Sequence, residues 1–68
     1  MKMFWICDWF DSNGRHVLGR ENRFLLFKRK KNAVVYLEEQ NANFEPNIIK
    51  ISLEEAKKLF GNYEYEII

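Results

Sequence analysis

The sequence predicts an α+β fold in which a small antiparallel sheet of four to five strands, connected as meander-like hairpins, carries one short helix. Two observations support this class. Apolar segments of strand length alternate with turn residues along most of the chain, and a helix-capping motif stands near its end. With 68 residues, 47% of them hydrophobic, the chain is long enough for one core. We therefore expect residues 1–68 to form a single domain.

The first predicted element is a hairpin. Residues 2–10 are rich in aromatic and β-branched side chains and contain no Gly or Pro, which is typical of a strand. Asn13-Gly14 follows and tolerates the positive φ angles of a two-residue hairpin turn. With this turn centre, Asp11 lies opposite His16. The second strand is expected to be short, because residues 19–22 are typical of a bulge or loop.

A second hairpin is predicted in the middle of the chain. Residues 24–27 and 33–37 are apolar runs of strand length, and the charged segment 28–31 between them forms the tip. Four consecutive apolar residues in the first run indicate a strand that is covered on both faces. A loop over 38–47 and a short strand over 48–51 follow.

The clearest local signal is a capping box from Ser52 to Glu55, which predicts a helix over about 52–60 with Gly61 just beyond its end. Residues 63–67 then alternate between apolar and charged side chains, as in a half-buried strand. The side chains expected to face the core in this last strand are Tyr63, Tyr65 and Ile67.

Four side chains near the first hairpin suggest chemistry, namely Cys7, Asp8, Asp11 and His16. Consecutive strand residues point to opposite faces, however, and no C-x-x-C or H-x-x-x-H spacing is present. We therefore expect Cys7 to pack as a small apolar residue and Asp11 and His16 to form an exposed pair. The sequence predicts no catalytic residue, no metal ligand and no cofactor, and so a protein that is not an enzyme.

The aromatic content suggests an interface. Both faces of the first strand are apolar, and a single helix covers only one face of a sheet, so the other face is expected to meet a partner protein or a second copy of the chain in a homodimer. Aromatic residues are frequent anchors of such interfaces. The residues predicted to lie at the protein interface are Trp5, Trp9, Phe10 and Phe44.

Charge is unevenly distributed although the net charge is only +1. Between residues 15 and 31 seven Lys or Arg stand against one Glu, and aromatic residues lie among them. Cations bind phosphates and exposed aromatics stack on bases, so the basic hairpin is an alternative nucleic-acid surface. The residues of this candidate contact are Arg20, Arg23, Lys28, Arg29, Lys30 and Lys31.

These observations favour a small non-enzymatic regulator or inhibitor that occludes a partner protein, with nucleic-acid binding as the alternative. The single Cys7 makes the fold independent of an oxidising compartment, which suits the cytoplasm. The apolar run 3–7 is too short for a secretion signal or a membrane span, so we expect neither. A composition rich in Lys, Asn, Ile and Glu suits a bacterial or phage protein.

Overall fold

The computed structural model describes residues 2–40, 43 and 45–68. Within these residues it contains six strands and two helices, so the predicted α+β class is confirmed while the numbers of strands and helices differ from the prediction. In chain order the elements are β1 (Met3–Asp11), β2 (Gly14–Val17), β3 (Gly19–Arg20), β4 (Arg23–Leu26), α1 (Lys30–Glu39), β5 (Asn47–Ser52), α2 (Leu53–Phe60) and β6 (Tyr65–Ile67).

The strands form two small sheets that share a junction. One sheet has the order β2-β1-β5 with antiparallel pairs, and the other has the order β3-β4-β6, in which β4 and β6 run parallel. Trp5 and Phe27 join the sheets, because the amide of each donates to the carbonyl of the other at 2.9 and 2.8 Å. The long strand β1 therefore takes part in both halves of the framework.

Two hydrophobic clusters lie on opposite faces of this framework. Phe4 and Ile6 of β1 pack in the cluster that contains Ala56 and Phe60 of α2. Cys7, on the other side of the same strand, packs in the cluster that contains residues of α1. The sheets are thus enclosed between α2 on one face and α1 on the other, and neither helix is long and apolar enough to cross a membrane in the part of the chain described.

The segment 33–37 is a helix and not the second strand of a hairpin, which corrects the prediction. Its five consecutive apolar residues are compatible with the two-residue period of a strand and with the 3.6-residue period of a helix. The segment is helical because Ala33, Tyr36 and Leu37 then share one face and pack on the cluster around Cys7. The segment 28–31 is accordingly no hairpin tip. It leads into α1 and supplies its first turn.

The first hairpin forms as predicted, but its register is shifted. Asp11 pairs with Gly14, so the turn consists of residues 12 and 13, and His16 lies opposite Trp9. The Asn13 amide donates to Oδ1 of Asp11 at 2.8 Å, which is an Asx turn that holds this register.

A second tight turn joins β3 to β4 where a bulge or loop was predicted. Glu21 and Asn22 both have positive φ angles of 51° and 65°, as a two-residue hairpin turn requires. Gly19 pairs with Phe24 across this hairpin, and any Cβ at Gly19 would collide with the Arg23 carbonyl oxygen. The glycine is therefore needed for close approach of the two strands.

The helix predicted from the capping box is confirmed as α2. The Ser52 hydroxyl accepts from the Glu55 amide at 3.1 Å, and Gly61 has a φ of 64° at the C-terminal end. Beyond it, Tyr65 packs against the core as expected. Tyr63 is 72% exposed and Ile67 is 39% exposed, so the prediction that both face the core is wrong. Strand β6 begins only at residue 65, which leaves Tyr63 in the turn after α2.

Candidate functional site

The predicted interface aromatics occupy different environments. Phe10 is 67% exposed near the end of β1, whereas Trp5 and Trp9 are half-buried. Trp9 stacks on His16 with ring centroids 5.6 Å apart. Phe44 lies outside the described residues. The sheet face that was expected to be open is covered by α1 and does not offer the open apolar surface from which the partner contact was predicted.

An exposed surface of different composition lies on the α2 side of the sheets. We call it the aromatic–arginine surface, and its residues are Phe10, Arg15, Arg23, Phe24 and Tyr63. Tyr63 packs edge-on against Phe24 at 5.8 Å, and Phe24 in turn stacks on Phe60 at 4.6 Å. The exposed Tyr63 side chain therefore packs against an aromatic pair, Phe24 and Phe60.

Two adjoining clefts run along this surface and share Phe24. The first has a volume of about 350 Å³ and lies between Tyr63 and the β3–β4 turn. The second, of about 230 Å³, lies between the first hairpin and the end of α2. The first is lined by Gly19, Arg20, Asn22, Arg23, Phe24 and Tyr63. The second is lined by Trp9, Arg15, His16, Val17, Phe24, Leu59 and Phe60.

Arg15 is held in place on this surface from two sides. Its Nε donates to Oδ2 of Asp8 at 2.8 Å, and the Asp8 side chain is almost fully buried at 4% exposure. The guanidinium also lies 5.9 Å from the ring centroid of Phe10. Arg15 thus neutralises a buried carboxylate and orders an exposed aromatic ring at the same time.

Arg20 of β3 and Arg23 of β4, both predicted to contact nucleic acid, form ion pairs with Glu66 of β6 and with Glu64 just before β6. Arg20 makes two hydrogen bonds to the Glu66 carboxylate, of 3.2 and 2.9 Å. Arg23 makes one to Glu64 at 3.3 Å. The Arg20 guanidinium lowers the pKa of Glu66, mainly by hydrogen bonding. The charge at these positions is therefore largely balanced, which the count of basic residues along the sequence did not reveal.

The remaining cations gather elsewhere. Nζ of Lys30 and Nζ of Lys50 lie 5.7 and 5.9 Å from the centroid of the Trp5 ring. Lys2 and Lys28 line a neighbouring cleft of about 350 Å³. We call this group, Trp5 with Lys2, Lys28, Lys30 and Lys50, the lysine–tryptophan surface. Within the part of the chain described, no lysine takes part in an ion pair. Arg29 and Lys31 lie beside this surface in sequence, at the start of α1.

The residues near the first hairpin behave as structural groups. Cys7 is fully buried, and burial raises the pKa of its thiol to about 11, so the thiol is protonated at neutral pH and a poor nucleophile. Asp11 and His16 are hydrogen-bonded at 2.8 Å on the exposed side. Among the described residues, no group of three or more His, Cys, Asp or Glu side chains is arranged to hold a metal ion.

Sequence reasoning missed three residues of the aromatic–arginine surface, and Phe24 is one of them because its apolar run was assigned to a covered strand. Tyr63 was assigned to a core strand because it continues the alternation of residues 63–67. The signal against this was Gly61, since a helix that ends at a left-handed glycine leaves the next residues in a turn. Arg15 was counted only as one basic residue, and nothing local in the sequence indicates its pairing with the buried Asp8.

Comparison with known proteins adds no further assignment. The chain matches no protein-family model, no curated protein and no solved structure.

Proposed function

We propose that this chain is a small non-enzymatic binding protein of the cytoplasm that regulates or inhibits a partner protein by covering part of its surface. The aromatic–arginine surface is the proposed docking site. The observation that carries the proposal is that the strongly exposed Tyr63 lines one of two adjoining clefts that share the packed ring of Phe24. The exposed Phe10 ring lies 5.9 Å from the guanidinium of Arg15, which lines the other cleft.

The composition of this surface supports a protein partner. Tyr, Trp and Arg are the residues most enriched among those that dominate binding energy at interfaces. Arg15 and Arg23 are already ordered by Asp8 and Glu64, so less conformational entropy is lost when they contact a partner. The same pairing weakens the case for phosphate contacts here, because neutralised arginines attract a polyanion less strongly.

Residues Tyr63 and Phe10 give the test. A tagged chain is incubated with an extract of the cells that produce it, and the retained protein is purified and titrated by calorimetry. We expect Tyr63→Ala and Phe10→Ala to weaken this binding by roughly tenfold or more, as for interface anchors. Arg15 is not substituted, because its removal would leave the buried Asp8 carboxylate without its ion-pair partner. Ile67→Ala, which removes an exposed apolar side chain outside the two clefts of the aromatic–arginine surface, is the matched control and should bind like the original chain.

If the chain acts by covering a functional surface of the partner, its binding should also change the partner's activity. Saturation of the purified partner with the chain should lower the partner's activity, and the Tyr63→Ala chain should require a correspondingly higher concentration. Equal affinity of Tyr63→Ala, Phe10→Ala and the original chain would overturn the proposal, as would a saturated complex with full partner activity.

The lysine–tryptophan surface favours nucleic-acid binding as a second candidate. Its cations have no carboxylate partner among the described residues, and they surround an aromatic ring. Fluorescence anisotropy with a mixed-sequence oligonucleotide at two salt concentrations tests it, since phosphate contacts lose affinity steeply as salt rises. Alanine at residues 28–31 should abolish a salt-sensitive complex and leave protein binding through Tyr63 intact. Binding that persists in the alanine variant would exclude this candidate.

A further inference from the structure

The outward face of α1 carries four exposed side chains at helical spacing, Lys31, Val34, Val35 and Glu38. The two valines are 38% and 43% exposed and form the centre of this face. A cation precedes them by one turn, and an anion follows them by one turn. We call these four residues the α1 outer face.

The charges of this face have no counterpart within the helix. Four residues after Lys31 stands Val35, and four residues before Glu38 stands Val34, so neither charge has an i,i+4 partner of opposite sign. No ion pair of the described residues includes either side chain. Both also oppose the helix dipole, which favours anions in the first turn and cations in the last. In the isolated chain these two charges therefore destabilise α1.

We propose that the α1 outer face binds the same face of a second copy of this chain, with the two helices antiparallel about a twofold axis. Lys31 and Glu38 are equidistant from the point midway between Val34 and Val35. A twofold axis at that point places Lys31 of each copy beside Glu38 of the other, with the four valines in contact between them. Lys30 and Glu39 have the same relation one residue further out.

The charge order that destabilises one copy is favourable in this pair. Each Lys31 lies next to the C-terminal, negative end of the facing helix, and each Glu38 lies next to its positive end. A parallel arrangement would instead bring like charges together. The self-complementary order of charge around an apolar centre is the reason for assigning this face to a second copy and not to an unrelated protein.

The dimer should be weak. A ten-residue helix is about 15 Å long, and two such faces bury less than the roughly 1,200 Å² typical of stable complexes. Self-association is therefore expected only at high concentration, with a dissociation constant on the order of 100 μM. None of the five residues of the aromatic–arginine surface lies on the α1 outer face, although Arg20 lines a cleft next to each of them. A dimer would present that surface twice.

Sedimentation equilibrium from about 10 μM to 1 mM, around the expected dissociation constant, tests the proposal. Lys31→Glu gives a face with two acids and Glu38→Lys a face with two bases, and each variant alone should dimerise at least tenfold more weakly than the original chain. An equimolar mixture of the two should associate as a heterodimer, and the double variant, in which the two ion pairs are restored with reversed signs, should dimerise more strongly than either single variant. Both changes favour the helix dipole, so loss of the dimer cannot be attributed to loss of the helix.

Lys57→Glu, a charge reversal at an exposed position on α2, is the matched control and should dimerise normally. Three results would overturn the proposal. The original chain remains monomeric to 1 mM, or the single variants dimerise like the original chain, or the mixture fails to associate. A dimer lost in Tyr63→Ala and retained in Lys31→Glu would assign self-association to the aromatic–arginine surface instead.

Discussion

The two helices cover opposite faces of the same strands but differ in how their ends are built. Helix α2 is capped at its N-terminus by the Ser52 side chain, has acids in its first turn and bases in its last, and is followed by Gly61 with a positive φ. The N-cap residue of helix α1 is Arg29, which makes no side-chain cap, and α1 has no acid in its first turn and no base in its last. Local interactions therefore stabilise α2, whereas α1 depends on what it packs against.

This difference shows where stability resides in a small domain. A helix of eight to ten residues is marginal on its own, so packing must supply most of its stability. For α2, packing and local signals agree. For α1, packing of Ala33, Tyr36 and Leu37 on the sheets acts against unfavourable ends. Charges that oppose local stability in this way are consistent with a contact outside the protomer, as proposed for the α1 outer face.

The largest expected effect comes from the packing of α2. Phe60 is 2% exposed and stacks on Phe24, so Phe60→Ala should lower the free energy of unfolding by about 3–5 kcal/mol. This approaches the whole stability of a domain of this size, and the variant should be largely unfolded in urea titrations followed by circular dichroism. Tyr36→Ala, which removes a half-buried ring from α1, should cost less. A Phe60→Ala midpoint equal to that of the original chain would contradict the assignment of α2 as the main anchor.

The same contrast explains what the sequence could predict. Ser52, Glu55 and Gly61 are a local code for a helix, and residues 53–60 follow it. Residues 33–37 contain five apolar side chains in a row, a pattern that fits a strand or a helix equally well until the face of the sheet that it covers is known. The decision is made by long-range packing on Cys7 and Phe27, which is not encoded near the segment itself.

Prediction of the candidate site failed for related reasons. The first hairpin was predicted, but its register is set by the Asx turn at Asp11 and differs from that expected for an Asn13-Gly14 centre. The ion pairs of Arg20 and Arg23 join residues more than forty positions apart, across a parallel pair of strands that no local pattern indicates. Phe10 was predicted to lie at a protein interface, which stays a prediction, and its side chain is 67% exposed. Tyr63 was not among the predicted interface residues.

The N-cap residues of the two helices give a test with an expected effect of intermediate size. Ser52→Ala should lower the free energy of unfolding by about 1 kcal/mol, because the Glu55 amide loses its acceptor. Arg29→Ser should raise it by about 1 kcal/mol, because Arg29 has the extended backbone of a helix N-cap, with φ of −135° and ψ of 144°, and offers no acceptor now. Lys28→Ser, one residue earlier, is the control for loss of charge. A destabilised Arg29→Ser variant would mean that Arg29 makes a contact that matters more than the missing cap.

The order of charged residues along each helix should have a smaller effect on stability, and this effect should have opposite signs in α1 and α2. At concentrations where the chain is monomeric and at low salt, Lys31→Glu and Glu38→Lys should each stabilise the fold by about 0.3–1 kcal/mol, because each then agrees with the helix dipole. Glu54→Lys at the start of α2 should destabilise by a similar amount. Thermal unfolding at two salt concentrations measures both, and the differences should shrink as salt rises. If Glu54→Lys changed the free energy of unfolding in the same direction as Lys31→Glu and Glu38→Lys, the helix dipole would not account for the effect of charge at the ends of α1.

The smallest expected effect is a loss of stability in acid, and it should be seen on the α1 side of the sheets and not on the α2 side. Arg20 pairs with Glu66, and its guanidinium also lies 5.9 Å from the centroid of the Tyr36 ring of α1. This ion pair is therefore expected to stabilise the α1 side. The pKa of Glu66 in the folded chain is lowered by Arg20 below its ordinary value of 4.5. The stability that the pair contributes is therefore fully present above pH 4.5 and is lost as pH falls through the lower, folded-state pKa. Since both side chains are exposed to solvent, the loss should be smaller than that of the Ser52 cap.

Glu66→Gln isolates this contribution. Asp11 also has a lowered pKa, through its hydrogen bond to His16, so the original chain should lose stability in acid from both groups. The Glu66→Gln chain should lose less between pH 5 and pH 3, because the contribution of Glu66 is then absent while that of Asp11 remains. Amide hydrogen exchange should show the acid effect of the Glu66 pair in α1 and not in α2. Parallel acid curves for the two chains would mean that the Arg20–Glu66 pair braces nothing, and α1 would then depend on its apolar contacts alone.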